Sequence, residues 1–513
     1  MTSNLTPTLA RAACAAAVLF IGLAAGRVHG QPSPSHRQLL LIVDGLRPDY
    51  VTPEVMPRLT ALGRRGVVFT AHHSVFPTVT RVNASSLSTG AYPEAHGLMG
   101  NTVFSDKVYA DRGLNTSDAD QLLLMEKAEG RLQTAPTIGA ALQRAGMTFV
   151  VFSAGSSGSA LLLNHPVYDG AVINPEFIDP PSLAPQVLES VGVGPKEAEP
   201  NIARNVWAVS AYLSLGLNVL KPQVAAIWFG DPDATAHRDG VGTPMTVIAL
   251  KAVDAEIGRI EDTLGSRGLL ATTNIIVVSD HGFSTHTGTL QLGPVVSGSS
   301  RAAADGTRDL VVTEGAVNFR GPVEQARVAE IVAALQKRPE VGAIFTRPAA
   351  DGSMRGVVPG TLSFNVARWN HARAAEILVS GNWTDQKNGA GFPGTTTQTG
   401  TAGHGTSSPF DIHNTLIAAG PDFRERATSS VPTSNVDLAP TLLRLLNLPV
   451  PETMTGRPIL EALITGPAID AVPVTHLTER ATSADGSYEV IAHISTAAGR
   501  RYLDDTEVRR PAR

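Results

Sequence analysis

Cysteine is almost absent: the 513-residue chain carries one, Cys14. That excludes a disulfide scaffold and any zinc site built on several thiolates. An excess of positive charge is missing too. Forty-one Lys and Arg stand against 46 Asp and Glu, a formal charge of −5. No diffuse basic surface, and so no stable nucleic-acid complex, is expected. Beyond the first thirty residues no segment reads as a transmembrane helix. There is no internal repeat, and 48 Gly with 35 Pro imply many loops without a collagen-like period. Charged residues reach 17% against 43% hydrophobic, the composition of a globular chain and not of a disordered one.

What is present begins with a leader. Arg11 supplies a positive flank and Ala12 to Ala25 an apolar run of signal-core length. Val28-His29-Gly30 then gives small residues before a cleavage point at Gln31. Residues 1–30 read as a secretory signal, with a periplasmic or extracellular destination. A retained membrane anchor is the alternative. With cleavage Cys14 is lost and no membrane span remains.

Apolar runs then alternate with helix-like segments, the pattern of an α/β domain with a doubly wound, mostly parallel sheet. Gln38 to Val43 is a nearly unbroken apolar strand, followed by a helix over Met56 to Gly66. Helix–strand pairs recur at Thr137–Ala145 with Met147–Phe152, and at Ile202–Leu215 with Gln223–Phe229. A third pair is Thr243–Leu264 with Asn274–Ser279. From about 285 to 400 the pattern changes to scattered strands, one clear helix (Val323–Lys337) and Gly/Thr-rich loops, read as an inserted cap. The α/β pattern resumes with strand Thr415–Ala419 and helix Val436–Leu446. The catalytic domain is thus set at 31–470. A tail, 471–513, carries a hairpin around Ser487–Leu503, of unknown role.

In open parallel sheets ligands bind beyond the carboxyl ends of the strands. Here those ends carry Asp44, then Asp233 and His237, then Asp280-His281. His404-Gly405 closes the Gly/Thr-rich loop before the final strand. One Asp at a strand end is ordinarily a helix cap or a turn former. The four elements together are a thiol-free ligand set for Zn²⁺, with Mn²⁺ or Mg²⁺ possible. Six ligands exceed one tetrahedral site and suit two metals about 3.5–4 Å apart, which clamp a transferring phosphoryl group. A hydroxyl nucleophile is available before the small-residue helix start Ala84-Ser85-Ser86-Leu87-Ser88. There it meets backbone N–H groups and the positive dipole end. The residues leave Thr78 and Thr80 both open for that role, and a Thr there also serves as an ordinary N-cap.

The ordered set resembles the alkaline-phosphatase-like superfamily, and within it the type I phosphodiesterase/nucleotide pyrophosphatase family. The matching residues are Asp44, the Thr80-x-x-Asn83 segment, Thr89-Gly90-Ala91-Tyr92-Pro93-Glu94-Ala95-His96-Gly97, Asn101, Asp233/His237, Ser279 to Gly282, and Gly403-His404-Gly405. The resemblance covers roughly residues 38 to 460. It implies an alkaline-phosphatase-like core and metal-dependent hydrolysis of a small phosphate ester. Asp44, Thr80, Asp280 and His281 would hold one metal, and Asp233, His237 and His404 the other. Thr80, favoured over Thr78, would attack phosphorus to give a phospho-threonine, and Asn101 would donate to a non-bridging oxygen.

One departure concerns specificity. Typical nucleotide-cleaving members have Phe then Pro after the nucleophile; this chain has Arg81-Val82. A guanidinium there would bind extra negative charge. That keeps a phosphomonoesterase on the same scaffold as the alternative, unless Arg81 points away to a surface carboxylate. Sulfatase chemistry is disfavoured, because no Cys/Ser-x-Pro-x-Arg element stands at residues 78 to 83. A binding domain with a relict site is the non-enzymatic reading. Asn164-His165 is a candidate lining of the substrate pocket, whereas His96, Asp231 and Asp437 read as structural.

Overall fold

An apolar run with no polar face forms a strand that must be covered on both sides. That strand is β1 (Arg37–Val43). In the computed structural model, which describes residues 36–302 and 306–511, β1 lies inside a nine-stranded sheet. The expected leader, residues 1–30 with Cys14, lies outside the described residues. In chain order the other strands are β2 (Val67–Phe69), β3 (Phe149–Ser153), β4 (Ala171–Asn174), β5 (Phe177–Asp179), β6 (Val224–Phe229), β7 (Thr273–Val278), β8 (Leu416–Ala419) and β9 (Ala427–Ser429). Their spatial order is β9-β2-β8-β7-β1-β6-β3-β4-β5. Strands β7, β1, β6, β3 and β4 are mutually parallel. The sheet is therefore the mostly parallel one the sequence predicts. The resumed strand β8, however, runs antiparallel to both its neighbours, β7 and β2.

Alternate residues of each strand feed two cores. Leu40, Ile42, Val151, Trp228 and Ile276 face one side. They pack with Leu87 of α2 (Thr80–Thr89), Leu161 of α3 (Ser157–Leu163) and Leu442 of α7 (Leu438–Leu445). Leu39, Leu41, Val43, Phe152 and Ile275 face the other. There they meet Leu59 of α1 (Pro57–Arg64), Trp207 of α4 (Ile202–Ala211) and Ile257 of α6 (Pro244–Ser266). A short helix, α5 (Asp233–Asp239), lies between β6 and α6. Helices on both faces make the sheet doubly wound. The helix expected over Ile202–Leu215 is α-helical only to Ala211 and continues in wider π turns over Tyr212–Leu220. Side chains satisfy carbonyls there: the Ser214 hydroxyl donates to Ser210 O and the Asn218 amide to Leu213 O and Ser214 O.

Within 285–400 a five-stranded sheet forms around Val341–Thr346 and Ile377–Gly381, next to helix Gln325–Gln336. A four-stranded sheet includes Ser284–Leu290, Pro393–Gln398 and Ala402–Gly403. The C-terminal residues build a three-stranded antiparallel sheet, β10 (Val474–Thr482), β11 (Glu489–Ala497) and β12 (Arg500–Arg509). It reaches two parts of the chain. Tyr488 Oη donates to Gly342 O at 2.7 Å, and Tyr502 Oη donates to Asp437 Oδ2 at 3.0 Å. The described residues cluster as one unit.

Candidate active site

Adjacent parallel strands β7, β1 and β6 end on one edge of the sheet, and each end delivers polar side chains. Asp44 follows β1. Asp233 opens α5 just after β6, and His237 stands one helical turn further on. Asp280 and His281 follow β7. His404 leaves the short strand Ala402–Gly403, which pairs with Ser284–Leu290. Close approach of these ends requires a glycine at position 45. Its φ is +71°, its N–H donates to Asp280 Oδ1 at 3.1 Å, and a Cβ would stand 3.2 Å from Asp233 Cα.

His281 Nε2 lies 3.1 Å from Asp280 Oδ2, 3.4 Å from Asp44 Oδ1 and 3.9 Å from Asp233 Oδ1. His237 Nε2 and His404 Nε2 are each 3.4 Å from the same Asp233 Oδ1. Two ligand groups result, Asp44/Asp233/His281 and Asp233/His237/His404, sharing Asp233. The His281 and His404 rings stack with centroids 3.5 Å apart. All three imidazoles are oriented alike. Nδ1 donates to a backbone carbonyl: Gly282 O for His281, Ala402 O for His237 and Thr78 O for His404. Each Nε2 is thereby turned inward, the usual second-layer device of a metal-binding histidine.

Carboxylates crowd this edge, and the imidazoles outweigh burial at Asp233 only. Burial, then the neighbouring Asp280 and Asp233, pushes the Asp44 carboxyl well up. Burial and then Asp233 lift Asp280 to about 6. His281 is held well below its ordinary value by burial and by His404. Burial opposes charge on His404, yet Asp233 outweighs it and holds the imidazole up at about 9. Burial would raise Asp233, but His237 and His404 drive it well below the carboxylate range. Asp44 Oδ1, Asp233 Oδ1 and Asp280 Oδ2 are buried without a hydrogen-bond partner. Three orphaned carboxylate oxygens facing three Nε2 atoms form a donor set that fits divalent cations.

Thr80 is the first residue of α2, and its hydroxyl donates to His281 Nε2 at 3.2 Å. Thr78 has another occupation. Its hydroxyl donates to Thr406 O (2.8 Å) and accepts from Gly405 N (3.0 Å), clasping the His404 loop. Asn101 Oδ1 accepts from Arg81 N at 3.1 Å, which fixes its amide beside the start of α2. The Arg81 side chain is partly buried; its Nε has no hydrogen-bond partner, and no ion pair to a carboxylate forms among the described residues. The expected pocket lining Asn164-His165 is instead structural. Asn164 is buried and donates to Phe149 O, while His165 Nε2 pairs with Glu126 at 2.9 Å. Asp231 accepts from Thr235 Oγ1 and Asn201 N, shaping its loop.

Several supporting residues escape a reading of the sequence. Trp228 Nε1 donates to Asp44 Oδ2 at 3.0 Å. Asn435 Nδ2 donates to Asp280 O at 2.7 Å. Asp411 accepts from Thr406 N and from the Ser284 hydroxyl. Trp228 sits inside an apolar strand and reads as core; no local signal marks Asn435.

A strand-end cluster of carboxylates and imidazoles beside a helix-N-terminal Thr defines a class, and sequence comparison agrees on it. Residues 38–385 match the family of type I phosphodiesterase / nucleotide pyrophosphatase, and the chain belongs to that family. Among curated proteins it is 28% identical to the bis(5'-adenosyl)-triphosphatase enpp4 of Xenopus laevis, over 49% of this chain and 48% of that one. It is 26% identical to ectonucleotide pyrophosphatase/phosphodiesterase family member 1 of Rattus norvegicus, over 48% of this chain and 24% of that one. The enpp4 protein of Mus musculus is 24% identical over 84% of this chain and 82% of its own. The chain thus spans about half or less of the length of the first two relatives. Murine ectonucleotide pyrophosphatase/phosphodiesterase 5, solved with AMP, shares the fold, with a TM-score of 0.57 at 18% identity. That match covers 83% of this chain and all of the murine one.

Proposed function

We propose that the protein hydrolyses phosphate esters, as a phosphodiesterase or nucleotide pyrophosphatase working through a phospho-threonine at Thr80. The observation that carries this reading is the convergence of three unpartnered carboxylate oxygens and three Nε2 atoms on a hydroxyl at a helix N-terminus. Asp44, Thr80, Asp280 and His281 would hold one divalent cation, and Asp233, His237 and His404 the other, with zinc best suited to the donors. When bound, the ions supply positive charge that favours the Thr80 alkoxide and the developing phosphoryl charge. The chain supplies the rest. The first turn of α2 presents Thr80 for in-line attack; the Thr80 Oγ–phosphorus bond forms as the ester oxygen leaves, and water then cleaves the phospho-threonine. Asn101, anchored through its carbonyl oxygen, directs its NH₂ to a non-bridging oxygen. The names of the relatives, a triphosphatase and nucleotide pyrophosphatase/phosphodiesterases, favour diester or pyrophosphate substrates. Residues 1–30 then serve as a secretory signal, 31–470 as the catalytic domain and 285–400 as its cap, with a periplasmic or extracellular address.

A second reading, phosphomonoester hydrolysis, is favoured by Arg81, which follows Thr80, has an unpartnered Nε and makes no ion pair among the described residues. A paired assay separates the two: p-nitrophenyl phosphate and bis-p-nitrophenyl phosphate, with chelator and with Zn²⁺ restored. The diesterase reading expects chelator-sensitive turnover that favours the diester, and a loss of at least about 10³-fold in Thr80→Ala. Preference for the monoester moves the protein to the second reading. Full activity of Thr80→Ala excludes the covalent route.

A further inference from the structure

We propose a further divalent-cation site, separate from the catalytic edge, formed by His73, His413 and Asp504. The three come from distant parts of the chain: the short strand His72–His73, the residue after the turn Pro409–Ile412, and β12. Each offers a ligand atom within 4.8 Å of the other two.

The hydrogen bonds argue for a cation between them. His73 Nδ1 lies 2.9 Å from Thr433 O, and a carbonyl only accepts, so Nδ1 is the donor. A neutral ring then presents a lone pair at Nε2, and Asp504 Oδ1 stands 2.8 Å from it. Two lone pairs at that distance repel unless a proton or a metal ion lies between them. The carboxylate is held in place, because Oδ2 accepts from the Ser495 hydroxyl at 2.7 Å. His413 adds a third donor, its ring centroid 4.6 Å from that of His73. A proton would engage His73 and Asp504 only; a cation would also use His413, whose ring is held in place by a hydrogen bond to the His72 backbone.

The orientation of His73, Nδ1 on a carbonyl and Nε2 inward, repeats that of His237, His281 and His404. Two imidazoles and one carboxylate suit zinc-type ions, with a position left for water. Asp504 and His413 are partly exposed, which gives the ion access. Occupied, the site would staple β12 to the strand that leads into the nucleophile loop and to the segment following His404. This inference does not rest on the hydrolase reading.

Its test is a zinc count on the full chain, saturated with Zn²⁺ and desalted. Asp504→Asn is expected to retain one zinc per chain fewer than the parent, and the parent to melt at a higher temperature with that zinc than without it. His413→Gln, altered at the exposed rim, should show the same deficit and serves if Asp504→Asn does not fold. Zn²⁺ titration of the chelated parent and variant gives the third readout. The parent is expected to saturate one equivalent above Asp504→Asn, and saturation of both at the same number would overturn the site. Equal zinc in parent and variants would also overturn it and assign the His73–Asp504 contact to a buried imidazolium–carboxylate pair.

Discussion

At the scale of single residues, the proposed function makes Arg81 the side chain on which substrate preference is expected to turn. It follows Thr80 directly, its backbone N–H holds Asn101, and its Nε is buried without a partner. A guanidinium so placed fits a phosphate oxygen as its missing acceptor. A charge-assisted hydrogen bond contributes about 1.5–3 kcal/mol, which sets the scale of the expected effect. Arg81→Ala should lower kcat/KM for p-nitrophenyl phosphate by roughly 10- to 100-fold. For bis-p-nitrophenyl phosphate, with one negative charge fewer, the loss should be much smaller. Equal losses on both substrates would make Arg81 a support for Asn101 alone. Thr78 and Thr80 carry a lesson at the same scale. They are alike in the sequence, and only the fold separates them: one hydroxyl faces His281, the other spans to the His404 loop.

Helix α2 and the turn before it act as one element, and Asn83 ties them. The Asn83 amide donates to Val75 O and Val79 O, while its oxygen accepts from Val75 N and Asn435 Nδ2. The side chain is fully buried. This is a physical reason for an Asn three residues after Thr80: it closes the loop that leads into α2 and so fixes where Thr80 stands. Asn83→Ala leaves buried backbone groups of Val75 unpaired, at about 1–3 kcal/mol for each group. Urea melts should register that loss, and turnover should fall mainly in kcat, because Thr80 is misplaced and not removed. A fall confined to KM would contradict the positioning role. The legible and illegible parts of the fold divide along similar lines. Buried parallel strands are apolar on both faces, so β1, β6 and β7 and the Asp at their ends are plain in the sequence. Trp228 and Asn435 support the site across 184 and 155 residues of chain, a relation no local pattern encodes. The antiparallel sense of β8 and the third C-terminal strand β10 are set by pairing partners, and hydrophobic periodicity is blind to those.

At the scale of the whole molecule, buried imidazoles that the catalytic edge does not use contribute a pH-dependent part of the stability. His72 and His96 lie fully inside, and burial pushes each down to about 3. Both are built to be neutral. His72 Nε2 donates to Asn435 Oδ1, in line with the Asn435–Asp280 contact. His96 Nδ1 accepts from Leu98 N and its Nε2 donates to Ser86 Oγ, so a second proton must break the Leu98 bond. Because the folded value lies below the unfolded one, near 6.5, the unfolded chain takes up the extra proton as pH falls. The stability concerned is complete above about pH 6.5 and drains away toward about pH 3, by about 1.4 kcal/mol per pH unit for each ring. Carboxylates at the catalytic edge titrate in the same range, so the effect is best isolated by difference. His96→Gln cannot take up that proton. At pH 7.5 it should melt below the parent, through imperfect replacement of the Leu98 and Ser86 contacts. At pH 5 the gap should narrow by about 2 kcal/mol, because only the parent is penalised by protonation of the unfolded state. Melts of both proteins at the two pH values, in the same chelator, measure this. A gap that does not change with pH would mean that His96 is solvated enough to titrate normally, against its enclosed position between α2 and the Leu98 backbone.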